Sequence, residues 1–183
     1  MSEPVESLDT NGLPEVSHDI ILKSNDKVEI PVSKAYLKPV SSWATAIEID
    51  QKETILPVPI NSQMLRYVVE YLKIRKGILP RKLILPVVKH TMKKVCVDSS
   101  DVEFVNKLVP EIQEDEMTQK IQTDHLEKHK KNIKLLWNLF QASNQIGCVC
   151  LTELLAAKLC TLLSFTFIDS KNPLAEIQIA LLK

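Results

Sequence analysis

Residues 135–163, LLWNLFQASNQIGCVCLTELLAAKLCTLL, carry two apolar helix patterns in succession. In the first, Leu135, Leu136, Leu139, Phe140, Ser143 and Ile146 recur at three- and four-residue steps. In the second, Leu151, Leu154, Leu155, Leu159 and Leu162 do the same. Such spacing gathers the side chains on one face of an α-helix. Gly147, one of three glycines in the chain, stands between the two patterns. Glycine adopts the left-handed backbone at a helix end without a Cβ clash. A helical hairpin is therefore expected, and its leucines must bury themselves in their own domain, in a partner, or in both.

Upstream, residues 1–17 combine two prolines with acidic and small polar residues and read as a disordered leader. A β-hairpin is expected next. Ile20, Ile21 and Leu22 make a short apolar run, Ser24, Asn25 and Asp26 form turns, and Val28, Ile30 and Val32 alternate with polar residues. Pro31 assigns the second strand to a sheet edge or to a bend. Short helices are expected over 33–37 and 43–47, with Pro39 ending the first. Residues 54–58 read as a third strand. Asn61 or Ser62 caps an amphipathic helix in which Leu65, Val68, Val69 and Leu72 share a face, and Gly77 ends it.

The middle of the chain segregates its charge. Residues 73–94 hold eight Lys or Arg residues and no acid, whereas 98–116 hold seven acids and one lysine. With prolines at 80, 86 and 110, the stretch from about 78 to 123 reads as a charged insertion, partly ordered at best. The helical pattern resumes near Asp124. At the other end, Asn172 and Pro173 suit an N-cap followed by proline at the first helical position, with Leu174, Ile177 and Leu181 on one face.

Composition narrows the function classes. The chain is 45% apolar and 25% charged, with 23 basic and 23 acidic side chains, so net charge favours no particular partner. No apolar run is long enough to span a membrane, and Lys158 interrupts the richest one. The acidic, polar N-terminus is unlike a signal peptide, so a cytoplasmic and/or nuclear location is expected. Three isolated glycines do not build a phosphate-cradling loop. His125 and His129 share a helical step, yet HLEKH puts Glu127 at the wrong place for a zinc peptidase helix. Cys96, Cys148, Cys150 and Cys160 follow no metal-knuckle spacing and suit small apolar packing. The basic run lacks aromatic residues on which bases could stack, so nucleic acid is not an expected partner. Neither an enzyme nor a cofactor is expected. Apolar helical surface points instead to protein–protein contact.

Three segments together resemble the S-phase kinase-associated adaptor (Skp) family, relatives of elongin C with the BTB/POZ fold. Residues 20–32, IILKSNDKVEIPV, are similar to its opening hairpin, with Ile20, Leu22, Ser24 and Asp26 matching I-x-L-x-S-x-D. Residues 56–72, LPVPINSQMLRYVVEYL, resemble its P-L-P stretch and following helix, matched by Leu65, Val68, Val69 and Tyr71. Residues 136–163 resemble its L-F-E-L-I-L-A-A-N-Y-L run, with Leu136, Trp137, Leu139, Phe140, Ala142, Asn144 and Ile146 in register. Lys171, Asn172 and Pro173, with Ile177 beyond, look like its K-T-P-E-E-I helix start with one extra residue.

The resemblance implies an α+β fold: a BTB/POZ domain over 18–162, a small sheet with surrounding helices, then a C-terminal helical extension over 163–183. It implies a non-catalytic adaptor linking an F-box or F-box-like protein to a cullin scaffold in a ubiquitin ligase, within a heteromeric complex. By position, Leu151, Leu154, Leu155, Leu159, Ile177 and Leu181 fall on the F-box-facing helices. Asn144 and Gln145 fall on the cullin-facing surface, where Gln145 replaces a family tyrosine. Pro173 matches a proline that is hydroxylated and glycosylated in some protists. The alternative is a structural subunit of a fixed multiprotein assembly, for example kinetochore-like, without a ubiquitin role.

Overall fold

The computed structural model describes residues 19–41, 55–84, 91–111 and 123–166. The expected leader, the helix over 43–47 and everything from 167 onward lie outside them. Within them, a small mixed sheet and several helices make an α+β fold.

Strands β1 (Asp19–Lys23) and β2 (Glu29–Ser33) form the antiparallel hairpin, with Ile20 opposite Val32 and Leu22 opposite Ile30. Alternation sends Ile20, Leu22 and Val32 into the core. Ser24 ties the turn: its Oγ donates to the Val28 carbonyl at 2.9 Å and accepts the Val28 N–H at 3.0 Å. The short helix α1 (Lys34–Leu37) follows β2 directly. Strand β3 (Ile55–Pro57) runs parallel to β1 on its other side, giving the order β2-β1-β3. Pro31 thus sits on an outer strand of the described sheet, where a missing N–H is tolerated.

Helix α2 (Ser62–Arg75) starts where the sequence places it. Asn61 Oδ1 accepts the Met64 N–H at 2.9 Å, and Asp26 on the hairpin turn accepts both the Ser62 N–H and the Ser62 hydroxyl. Its buried face is Met64, Leu65, Val68, Val69, Tyr71, Leu72 and, at the end, Arg75. Lys76 and Gly77 both turn left-handed, at φ 49° and 79°. A Cβ on Gly77 would lie 2.6 Å from the Ala35 carbonyl oxygen, so α1 also requires glycine there.

Within the expected insertion over 78–123, the described residues 91–111 pack on the domain. Helices α3 (Met92–Val95) and α4 (Ser99–Leu108) carry Met92, Val95, Val102, Phe104 and Val105 into the core, and Val109 joins them. Phe104 meets Tyr71 ring to ring, centroids 5.3 Å apart. Each such side chain contributes about 2 kcal/mol on burial. The charged residues that suggested a loop occupy the outward side of the same segment: Lys93, Lys94, Glu103 and Lys107 are exposed.

Helices α5 (Thr123–Gln145) and α6 (Val149–Thr166) form the expected hairpin, with Gly147 at φ 69° between them. They pack most extensively on each other; α5 also meets α2, and α6 meets α3 and α4. Ile133, Leu136 and Leu139 of α5 enter the core, and Ile146 just beyond its end joins them. Helix α6 runs on past residue 162, through Thr166. None of the described helices is long and apolar enough to cross a membrane.

Candidate protein-binding surfaces

The hairpin leucines expected to grip a partner turn inward. Leu151, Leu154 and Leu155 are at most 1% exposed, and Leu159 is 7% exposed. Their face is already covered: α6 lies against α3, α4 and α5, and those helices bring their own apolar faces. These four residues are core, which corrects their placement on a partner-facing surface. The other two partner-facing residues, Ile177 and Leu181, and the modification candidate Pro173 lie outside the described residues.

The junction of α5 and α6 is open. Asn144 and Gln145, in the last turn of α5, are both exposed, and Val149 at the start of α6 is 54% exposed. The backbone beneath them is pinned. Ser41 Oγ donates to the Ile146 carbonyl at 2.6 Å, and Ser143 Oγ donates to the Phe140 carbonyl at 2.8 Å. Ser143 also shares a 2.9 Å hydroxyl–hydroxyl bond with Thr152, linking the two helices. Two exposed amides and one apolar side chain thus share a braced corner.

A second surface lies where α2 ends. Ile74, Ile78, Leu79 and Val97 line a cleft of about 490 Å³ and are all substantially exposed, Ile78 and Leu79 by 68% and 59%. Its floor is an ion network. The Arg75 guanidinium is buried and reaches Asp98 at 3.1 Å, Asp101 at 3.3 Å and, through Nε, the Ile78 carbonyl at 3.1 Å. Asp98 also accepts the Arg81 backbone N–H at 3.0 Å, which, with Arg75, holds its carboxyl below the usual range. Asp101 is more deeply buried, and that burial lifts its carboxyl despite the Arg75 charge. Arg75 is thus consumed by the fold, while Arg81 lines the cleft and Lys73, Lys76 and Lys82, close to the lining residues in sequence, are exposed.

Among the described residues no group of three or more His, Cys, Asp or Glu could hold a metal. Cys96 and Cys148 are buried, and burial pushes the Cys148 thiol up to about 12, far from the thiolate a nucleophile needs. Cys160, expected to pack among the leucines, is exposed instead. Lys158 has the opposite fate: it is 2% exposed, and its ammonium donates to Asn106 Oδ1 at 2.8 Å. Burial brings it down to about 8.

The cleft was missed by sequence reasoning, although its signal was present. Four apolar residues are interleaved with cations in a stretch without acids. Neither a family model nor a curated protein matches the chain.

Proposed function

We propose that the chain is a non-catalytic adaptor of the BTB/POZ type, similar to the Skp family, that joins other polypeptides. The observation carrying this reading is the exposed corner of Asn144, Gln145 and Val149 on an α5–α6 hairpin braced from beneath. The sheet order β2-β1-β3, followed by α2 and the helical hairpin, supports it, because those elements fall where the three resembling segments lie. In the Skp family this corner meets a cullin. The adaptor would hold an F-box or F-box-like partner through residues other than the four buried leucines.

Binding of a cullin N-terminal fragment to the purified chain tests the proposal by calorimetry. Loss of that binding in Asn144→Asp with Gln145→Glu, at unchanged melting temperature, supports it. A specific observation favours the second reading, a structural subunit of a fixed assembly such as a kinetochore-like complex. Gln145 lacks the large amphipathic ring that the resembling family presents there, an anchor of the kind that dominates interfaces. Recovery from the native source of one stoichiometric companion and no cullin would select that reading.

A further inference from the structure

We propose that the cleft formed by Ile74, Ile78, Leu79 and Val97 docks an acidic amphipathic peptide segment of a partner protein. It lies away from the α5–α6 corner in the chain and needs no part of the adaptor reading. Exposed apolar side chains gathered in one concavity mark binding surfaces more often than scattered ones do. Here two are more than half exposed and belong to one short segment, residues 78–79.

Charge selects the occupant. Residues 73–82 contribute Lys73, Lys76, Arg81 and Lys82 as exposed cations and no carboxylate. The one carboxylate lining the cleft, Asp98, is engaged by Arg75 and by Arg81. A peptide placing leucine or isoleucine in the cleft and glutamate or aspartate at its rim satisfies both features. Opposite potentials across such a rim raise the association rate and exclude basic competitors. Nucleic acid fits less well, because the lining offers no aromatic platform for bases.

The floor is built to keep this shape. Arg75 Nε holds the Ile78 carbonyl, and the Ile78 N–H donates to the Arg75 carbonyl at 2.8 Å. The two bonds fix the chain as it leaves α2. Ile84 N–H donates to the Val95 carbonyl at 2.8 Å, which fastens the far end of the segment beside α3.

The test uses the full chain and a fluorescein-labelled, 16-residue helical peptide with leucines on one face and glutamates on the other. Its counterpart carries lysine at every glutamate position. Fluorescence anisotropy should give a dissociation constant of about 10 µM for the acidic peptide, rising severalfold between low and physiological salt. The basic peptide should bind at least tenfold more weakly. Ile78→Ser with Leu79→Ser, and separately Lys76→Glu with Lys82→Glu, should each weaken the acidic peptide about tenfold while leaving the melting temperature unchanged. Equal binding of both peptides, or binding untouched by either variant, overturns the proposal. So does tighter binding of a 20-nucleotide single strand or duplex at the same surface.

Discussion

Arg75 and Asp101 face each other at 3.3 Å with 7% and 2% of their side chains exposed, so α2 and α4 are joined by an ion pair removed from water. Desolvating two charges is expensive, and the pair is stable only while each has its partner. Arg75→Met should therefore destabilise the chain by about 3 kcal/mol, chiefly because it strands Asp101. Adding Asp101→Leu to Arg75→Met should recover part of that loss. Urea unfolding of the two variants and the wild type measures both; no recovery in the double variant would mean that Asp98 carries the energy.

Gly77 is held by two requirements at once, a left-handed backbone and the Ala35 carbonyl 2.6 Å from where a Cβ would stand. Gly77→Ala should cost about 2 kcal/mol or more, since the conformational strain alone is about 1–2 kcal/mol. Lys76 has the same backbone sign without that neighbour, so Lys76→Gly should be neutral or stabilise by up to about 1 kcal/mol. Opposite signs for adjacent positions in thermal melts would separate backbone strain from packing.

These two positions also show what the sequence makes legible. Asn61, Gly77 and Gly147 are local signals, because caps and left-handed turns depend on one or two residues, and each punctuates a helix where expected. The hairpin turn and the third strand are local in the same way. The destination of a buried face is not local. The 3.6-residue period says that Leu151, Leu154 and Leu155 share a side, but only α3 and α4, hidden behind a charged sequence, reveal that the side is already covered. Arg75 and Lys158 likewise gave no signal, because their partners Asp98, Asp101 and Asn106 lie far off in the chain.

Lys158 should leave a signature in the pH dependence of stability. Its native ammonium releases its proton near pH 8, while in the unfolded chain it does so near the ordinary value of about 10.4. Between those values the unfolded chain holds the extra proton, so native stability rises with pH across the window, by roughly 3 kcal/mol in all. Below about pH 8 both states are charged and the contribution is flat. Lys158→Met removes the titrating group. The stability of the wild type minus that of the variant should grow between pH 8 and 10, and a constant difference in urea melts would show an ordinary lysine.

The four thiols should separate by reactivity. Cys160 is exposed, Cys150 half-buried, and Cys96 and Cys148 buried with thiols raised by desolvation. Ellman's reagent at neutral pH should therefore label one cysteine rapidly and one slowly, leaving two until the chain unfolds. Cys160→Ser should abolish the rapid phase and leave the rest unchanged.

Core and corner should respond oppositely to substitution. Leu155 is fully buried, so Leu155→Asp places an unpaired charge among aliphatic side chains and should unfold the isolated chain at room temperature. Gln145 is exposed in the last turn of α5, where a larger side chain meets no packing constraint. Gln145→Tyr supplies a rigid amphipathic ring beside Asn144 and Val149, and it should strengthen binding of a cullin N-terminal fragment about tenfold without moving the melting temperature. Calorimetric titration against that fragment, run beside circular dichroism of both variants, checks the pair. A folded Leu155→Asp chain would return that leucine to the surface. A Gln145→Tyr chain that binds no cullin fragment would shift the reading toward the fixed assembly.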